Sequence, residues 1–131
     1  MKNIREAAVA GMFYPASAGK LKSDIQFLLD SNKPELEFDN IAGIISPHAG
    51  YIYSGKTAAF AFNTIKGKKY STVIIISPSH REYFPGISIF EGDAYSTPLG
   101  IVKINKDVRE ELTIKNNLIF PGVGTWSRTC N

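Results

Sequence analysis

Two apolar runs, each followed by Ser-Pro and then by a histidine, dominate the pattern of hydrophobic and polar positions in this chain. The first run, residues 41–45, reads I-A-G-I-I and leads to His48, and the second, residues 72–76, reads T-V-I-I-I and leads to His80. Continuous β-branched runs that end at breakers are typical of strands buried on both faces of a parallel sheet. We therefore predict a parallel strand at each run.

The segment between the two runs has the spacing of a helix. Ser54 is the expected N-cap, and the helix should continue to about Lys66 and stop at Gly67. The predicted inner face consists of small and apolar residues, namely Ala58, Ala59, Phe62 and Ile65. Because a right-handed helical crossover brings the carboxyl ends of two parallel strands to one sheet edge, we expect both histidines to face one crevice.

Weaker patterns predict the remaining elements. An apolar stripe of Leu21, Ile25, Leu28 and Leu29 predicts a helix from the cap Ser17 to about Ser31, with this stripe facing the sheet. We also expect an extended segment at 1–16, a loop at 81–86, strands at 87–90 and 100–104, and a helix at 107–115 with Val108 and Leu112 inward. The predicted class is α/β, with a mostly parallel central sheet and helices on both of its faces.

Composition and charge exclude several functional classes. The 131 residues are 44% hydrophobic and 21% charged, as expected for one globular domain with its own core. The net charge is only +3 and the lysines are spread along the chain, so we expect no nucleic-acid partner. No run approaches the length of a membrane span, and we expect neither a signal peptide nor a membrane partner. A single cysteine, Cys130, suits a reducing compartment, and the predicted location is the cytoplasm.

The two histidines are the main candidates for chemistry. Imidazole is a common ligand of first-row metals and a common general base near neutral pH, although either histidine alone could be a hydrogen-bonded structural residue. A metal site needs a third ligand, which the pattern does not identify. Glu82 and Asp93 lie in predicted loops, where carboxylates are usually solvated surface charges, and Cys130 lies in the tail.

Four blocks of sequence resemble one known family. They read R-E-A-A-V-A-G-M-F-Y at 5–14, P-H-A-G-Y-I-Y-S-G at 47–55, S-P-S-H at 77–80 and Y-S-T-P-L-G at 95–100. In this order they are similar to the Memo family, which includes the Memo-like component of the prokaryotic AmmeMemoRadiSam system. The resemblance implies an α/β fold related to class III extradiol dioxygenases, whose active centre is an iron site with two histidines and one carboxylate.

The resemblance also implies roles for individual residues. His48 and His80 match the first two metal-site histidines of the family, Tyr53 matches a pocket tyrosine, and Phe13 stands where the family often has a tryptophan. Family members are described as binding iron or copper with redox activity, and in animals as a cell-motility effector that binds a phosphotyrosine peptide. The predicted site has His48 and His80 as metal ligands, Tyr53 beside them as a catalytic residue, and further pocket residues Phe13, Gly50, Tyr51 and Ser79.

The resemblance extends from residue 5 to about residue 122. Family proteins are longer and continue with an H-x-x-E-H-S-x-E-V block and a third metal ligand, usually a cysteine, and Cys130 does not match that cysteine in position or context. We therefore predict that residues 1–122 are the N-terminal portion of a single Memo-like domain and that residues 123–131 are a divergent tail. The chain as written is expected to be an inactive fragment that loses metal readily to a chelator.

Two functional hypotheses follow, and whether the protein is an enzyme stays open between them. In the first, the crevice holds a metal and supports redox or dioxygenase-like chemistry on a small molecule. In the second, the same crevice is a non-catalytic module that binds a peptide or an anionic ligand through the histidines and Tyr53. The apolar run at 72–76 would leave a sheet face uncovered, so we also expect a tendency to form homo-oligomers.

Overall fold

The computed structural model describes residues 3–35, 39–80 and 82–122, and these residues form three helices and five short strands. In chain order they are β1 (Ile4–Arg5), α1 (Ala18–Ser31), α2 (Tyr51–Ile65), β2 (Ile87–Phe90), β3 (Ala94–Thr97), β4 (Gly100–Lys103), α3 (Lys106–Lys115) and β5 (Ile119–Gly122). The fold is mixed α/β with two small sheets. No helix in the described ranges is long and apolar enough to cross a membrane.

The chain divides into two compact units. Val9–Tyr70 forms the first, which contains α1 and α2 and is called the helical unit below. Met1–Ala8 and Ser71–Asn131 form the second, called the sheet unit, which contains all the described strands and α3. The helical unit is thus inserted, along the sequence, between two parts of the sheet unit. The predicted tail at 123–131 lies outside the described residues.

The helical unit is built on the packing of α1 against α2. Helix α1 begins directly after Ser17, as predicted, and Leu21 of its apolar stripe is buried. Leu28 of the same stripe lies so close to Gly55 of α2 that a Cβ added to Gly55 would stand 3.0 Å from a Leu28 methyl group. Leu28 of the stripe therefore packs on α2, a contact that the sequence did not predict, and the expectation that the stripe faces a sheet stays a prediction. A small residue at position 55 allows the two helices to approach closely.

Two asparagines tie the end of α1 to α2. The side-chain amide of Asn63 in α2 donates hydrogen bonds to the carbonyls of Leu29, at 2.7 Å, and Asn32, at 2.8 Å. Asn32 is itself buried and its amide donates to the Leu28 carbonyl at 2.8 Å. The last carbonyls of a helix have no partner within the helix. These amides supply partners for three carbonyls at the carboxyl end of α1.

Helix α2 begins earlier than predicted. Its N-cap is Gly50 rather than Ser54, and the Gly50 carbonyl accepts hydrogen bonds from the N–H groups of Tyr53, at 2.9 Å, and Ser54, at 3.2 Å. The Ser54 hydroxyl donates to the Ala49 carbonyl instead of capping a later turn. Ala59 is buried as predicted, whereas Phe62 is half exposed, so its place on the inner face is a wrong prediction. Gly67, at φ +79°, follows the end of the helix as expected.

The sheet unit contains two separate sheets. In the first, β3 pairs with β1 in parallel and with β4 in antiparallel orientation, and in the second β2 pairs with β5 in parallel. Strands β2 and β4 and helix α3 agree with the sequence predictions to within one residue at each end. Strands β3 and β5 were not predicted. The Thr97 hydroxyl closes the β3–β4 turn by donating to the Gly100 carbonyl and accepting from the Leu99 N–H.

The two apolar runs that precede the histidines are not strands in this structure. Residues 41–45 and 72–76 have no strand conformation, and Val73, Ile74, Ile75 and Ile76 are 67%, 62%, 87% and 76% exposed. The prediction of two parallel strands at these positions, and of one central sheet built on them, is therefore wrong for this structure. The physical reason is that a strand exists only when a neighbour completes its backbone hydrogen bonds, and the described sheets provide neither run with such a neighbour.

Candidate functional site

The first histidine lies at the start of α2. His48 is exposed, and it precedes the N-cap Gly50 by two residues, in the loop that leads from the first apolar run into the helix. Tyr51, Ile52 and Tyr53 form the first helical positions after the cap. The backbone thus places His48 and Tyr53 close together along the chain, one before the helix and one in its first turn.

The predicted pocket residues Phe13, Gly50 and Tyr51 come together in the helical unit. The segment before α1 is folded by its own backbone, since the N–H groups of Met12 and Phe13 both donate to the Val9 carbonyl. The Phe13 carbonyl then accepts a hydrogen bond of 2.8 Å from the Tyr51 N–H. A Cβ on Gly50 would stand 3.4 Å from the same carbonyl, so the absence of a side chain at Gly50 lets this segment lie against the start of α2.

Tyr51 is the aromatic centre of this cluster. Its ring lies 5.8 Å from the ring of Tyr14, at an interplanar angle of 44°. Burial raises the pKa of the Tyr51 phenol, and the charge of a nearby Tyr14 phenolate would raise it further. The Tyr51 hydroxyl therefore keeps its proton near neutral pH and can act as a hydrogen-bond donor. Tyr53, by contrast, is 82% exposed, and Phe13 also presents part of its ring to solvent.

The second histidine lies in the sheet unit, at the end of the second apolar run. His80 is exposed, and the preceding Ser79 organises the local turn. The Ser79 hydroxyl donates to the Glu82 carbonyl at 2.6 Å and accepts from the Glu82 N–H at 3.2 Å. Such hydroxyl-to-backbone bonds are typical of turns. The geometry of Ser79 is thus accounted for by the turn.

An apolar cleft of about 660 Å³ lies beside this turn, within the sheet unit. Its walls include residues 74–79, the turn at 82–84 and the whole of β2, together with Leu112 of α3 and Ile119 of β5. Arg5 also lines it, with its guanidinium 5.9 Å from the ring centres of both Phe90 and Tyr95. The place of Arg5 in this cleft was not predicted, because a single arginine in an N-terminal segment forms no pattern that indicates a cleft.

The candidate third ligands are placed differently. The Asp93 carboxylate accepts a hydrogen bond of 2.8 Å from the Asn3 N–H and forms an ion pair with Lys106, so it has a structural role at the start of β1. Glu82 is exposed, and Cys130 lies outside the described residues. Within residues 3–35, 39–80 and 82–122, no three His, Cys, Asp or Glu side chains are grouped so that they could hold one metal ion.

His48 and His80 belong to different units, the first to the helical unit and the second to the sheet unit. The expectation that they share one crevice stays a prediction. In the structure each histidine is exposed and lies in a loop. His48 is close in the chain to the predicted pocket residues Gly50 and Tyr51, and His80 directly follows the predicted pocket residue Ser79.

Comparison with known proteins identifies the class to which this arrangement belongs. A family model described as Memo-like protein matches residues 5–124, which is most of the chain. The chain therefore belongs to the Memo-like family, and the resemblance inferred from the four sequence blocks is confirmed.

Individual relatives agree with this assignment. The chain is 39% identical over 109 residues to a MEMO1 family protein of Thermoplasma volcanium, a match that covers 83% of this chain and 40% of the relative. It is 39% identical over 109 residues to one of Aquifex aeolicus, covering 83% and 39%, and 33% identical over 120 residues to one of Nitrosopumilus maritimus, covering 88% and 44%. The chain thus spans about two-fifths of the length of these curated relatives.

Proposed function

We propose that His48 and His80 are two ligands of a metal-binding crevice in a Memo-like domain, with iron or copper as the metal and Tyr53 as a positioning or acid/base residue. The observation that carries this proposal is that the only two histidines of the chain are both exposed in loops, inside two of the blocks that resemble the family. An exposed loop imidazole is accessible to a metal, and loops on a rigid scaffold often carry binding residues.

The donor chemistry supports iron or copper in part. Imidazole is a good ligand for both metals, and two imidazoles fill two of the three protein positions in a site with two histidines and one carboxylate. The described residues do not add the third ligand to the same group. A metal held by two imidazoles is weakly bound, because affinity depends on the number and preorganisation of ligands. When bound, iron or copper would supply redox capacity, and the described residues alone define no reaction step.

The same proposal extends to the fold and the location. It assigns the chain to a fold related to class III extradiol dioxygenases, with residues 1–122 as the N-terminal portion of one domain. The parallel pairings β1–β3 and β2–β5 support this, since parallel pairs are the usual element of α/β sheets. A single cysteine supports a reducing compartment, for which we propose the cytoplasm.

Copper binding to the untagged protein tests the metal proposal. We expect His48→Ala and His80→Ala each to weaken Cu²⁺ binding by about tenfold or more, and the double variant to abolish it. Removing a residue that hydrogen-bonds to a metal ligand typically costs about tenfold or more in affinity, and removing the ligand itself should cost at least as much. Isothermal titration calorimetry gives affinity and stoichiometry, and circular dichroism checks that each variant is folded. Unchanged Cu²⁺ binding in both single variants would contradict the proposal.

A carboxylate pair extends this test to the third ligand. Glu82→Gln removes the exposed carboxylate nearest in sequence to His80, and Glu35→Gln removes an exposed carboxylate of the helical unit as a matched control. If Glu82 completes the site, only the first variant should weaken Cu²⁺ binding. Equal affinities in the two variants would exclude Glu82 as a ligand.

The second candidate function is a binding module without turnover. The exposure of Tyr53 and the partial exposure of Phe13, both in the helical unit, favour a surface that contacts a peptide or an anionic ligand. Phosphotyrosine is a suitable test ligand because it combines an aromatic ring with an anion. Binding that persists in excess chelator and weakens in Tyr53→Ala would support this function over the metal proposal. Absence of binding would exclude phosphotyrosine recognition.

A further inference from the structure

We infer that a groove beyond the carboxyl end of α2 binds a mononucleotide, with the phosphate at two lysines and the base against a tyrosine ring. The groove has a volume of about 540 Å³ and lies within the helical unit, between the segments 39–42 and 68–70. This volume falls in the range of small-molecule sites, roughly 300–1,000 Å³. The inference goes beyond the proposed metal crevice and requires neither histidine.

The groove and His48 lie at opposite ends of α2. His48 precedes the first residue of the helix, Tyr51, whereas the wall 68–70 follows the last residue, Ile65. A helix of 15 residues is about 22 Å long. A small ligand in the groove is therefore too far from His48 to contact it, and the groove is a separate site.

Two side chains hold the walls of the groove together. The Lys68 ammonium donates a hydrogen bond of 3.0 Å to the Asp39 carbonyl, and the Tyr70 hydroxyl donates one of 3.3 Å to the Ile41 carbonyl. The backbone enters this wall through Gly67, whose φ of +79° favours glycine. The walls are thus joined without a ligand, which lowers the cost of ordering them when a ligand binds.

The charge of the groove favours an anion. Its described lining contains two basic residues, Lys68 and Lys69, and one acidic residue, Asp39. Lys69 is exposed and takes part in none of the ion pairs among the described residues, whereas Lys66 lies 3.8 Å from the Asp30 carboxylate. Two ammonium charges outweigh one carboxylate and the partial charge of about −0.5 at the end of α2. A phosphate monoester, with a charge of about −1.5 to −2 near neutral pH, suits this excess.

The Tyr70 ring favours a ligand that also has a flat apolar part. Tyr70 is 44% exposed, and the bond from its hydroxyl to the Ile41 carbonyl holds the ring beside the groove. Aromatic side chains stack on nucleobases whatever the base. Asn40 also lines the groove, and a side-chain amide can both donate to and accept from the polar edge of a base. A mononucleotide combines the phosphate and the ring that these residues select.

Titration with AMP tests this assignment. AMP, inorganic phosphate and adenosine are each titrated into the whole chain at low ionic strength, with excess chelator present so that no metal contributes. We expect saturable binding of one AMP per chain, with at least tenfold weaker binding of phosphate and of adenosine. Added salt should weaken AMP binding because it screens the lysine charges. Nuclear magnetic resonance of the backbone amides measures the affinity, and its shifts should concentrate at 39–42 and 68–70.

A matched pair of charge changes locates the phosphate. Lys69→Gln removes a charge from the groove, and Lys22→Gln removes an exposed charge of α1 that does not line it. We expect Lys69→Gln to weaken AMP binding by about tenfold or more, as for loss of a hydrogen bond to a charged group. Lys22→Gln should leave the affinity unchanged. Both positions are exposed, and circular dichroism checks that both variants are folded.

A second pair of variants tests the ring. Tyr70→Leu removes the aromatic surface and should weaken AMP binding by about fivefold or more, while leaving phosphate binding unchanged. Tyr70→Phe keeps the ring, and it should bind AMP more tightly than Tyr70→Leu does.

Four results would overturn the inference. They are the absence of AMP-dependent shifts at 39–42 and 68–70, equal effects of Lys69→Gln and Lys22→Gln, equal affinities for AMP and adenosine, and equal affinities for AMP and phosphate. The last result would leave the Tyr70 ring without a role. His48→Ala and Tyr53→Ala should leave AMP binding unchanged, so failure of the proposed function and failure of this inference are distinguishable.

Discussion

The helix pair α1–α2 and the run Val73–Ile76 are both strongly apolar, yet only the helix pair is packed. In the pair, Leu21 and Ala59 are buried and Gly55 allows close approach to Leu28. In the run, every side chain is largely exposed. The difference lies in the backbone. A helix forms its own hydrogen bonds and needs only one neighbour to cover its stripe, whereas a buried strand needs neighbours along its edges and cover on its faces.

This difference indicates how far apolar character predicts burial. Hydrophobicity favours burial, but the partner must be present in the same chain or in another molecule. Completing a strand environment for four such side chains would be worth about 1.5–3 kcal/mol for each fully buried residue. The run therefore retains a substantial driving force for association, whereas the apolar residues of the helix pair already contribute to the stability of the folded chain.

The largest expected effect is on the helix pair. Leu21→Ala should lower the free energy of unfolding of the helical unit by about 2–4 kcal/mol, because Leu21 is only 4% exposed and its removal leaves a cavity. Ile75→Ala in the run should change stability by less than about 0.5 kcal/mol, since exposed positions contribute little. Urea denaturation followed by circular dichroism measures both. Similar losses in the two variants would contradict the distinction between the regions.

A smaller loss of stability is expected when the hydrogen bonds of the Asn63 side chain, called the asparagine clamp, are removed. Asn63→Ala removes the donor to the Leu29 and Asn32 carbonyls and should destabilise the helix pair by about 1–2 kcal/mol. Gln26→Ala is a suitable control, because the Gln26 side-chain amide donates to the exposed Asp30 carboxylate of the same helix, α1. Hydrogen exchange of the α1 amides reports the change. Equal protection in the two variants would show that the clamp contributes nothing to the pairing of the helices.

The smallest expected effect appears only at high pH. Burial holds the pKa of Tyr51 above its ordinary value in the folded state. The contribution of the protonated Tyr51 to the free energy of unfolding is therefore complete below about pH 10, and it is lost as the pH rises through the folded-state pKa. Tyr51→Phe should therefore flatten the decline in unfolding free energy above about pH 10. Parallel pH profiles for Tyr51→Phe and the unchanged chain would contradict the prediction.

The sequence predicted the elements whose hydrogen bonds are local. Helix α1 starts after Ser17 as expected, and α3 differs from its predicted start by one residue, because stripe and cap signals lie within the helix itself. Strand β3 was not predicted because its sequence has no periodic apolar pattern. It is held by pairing with the distant strand β1 and with the adjacent strand β4. The two apolar runs were wrongly assigned because their composition specifies a sheet, while the described residues do not provide the partner strands.

The candidate site shows the same limit. The family-like blocks selected His48, Gly50, Tyr51 and Tyr53, which are close in the chain, and also Phe13. The contact of the Phe13 carbonyl with the Tyr51 N–H joins residues on either side of α1, and no spacing in the sequence indicates it. The structural role of Asp93 likewise depends on Asn3 and Lys106, which only folding brings to it.

The pairing of β1 with β3 also has a consequence for synthesis. Asn3 bonds to Asp93 across 90 positions of sequence, and Ile4 pairs with Ala94. A ribosome adds about 5–20 residues per second, so Val9–Tyr70 is synthesised before Ala94, the partner of Ile4 in the N-terminal strand, is added to the chain. The helix pair can therefore fold cotranslationally. Strand β1 can pair only after β3 has been synthesised, and this contact between residues far apart in sequence is expected to form slowly. Folding of the first residues is thus expected to be among the last events of chain maturation.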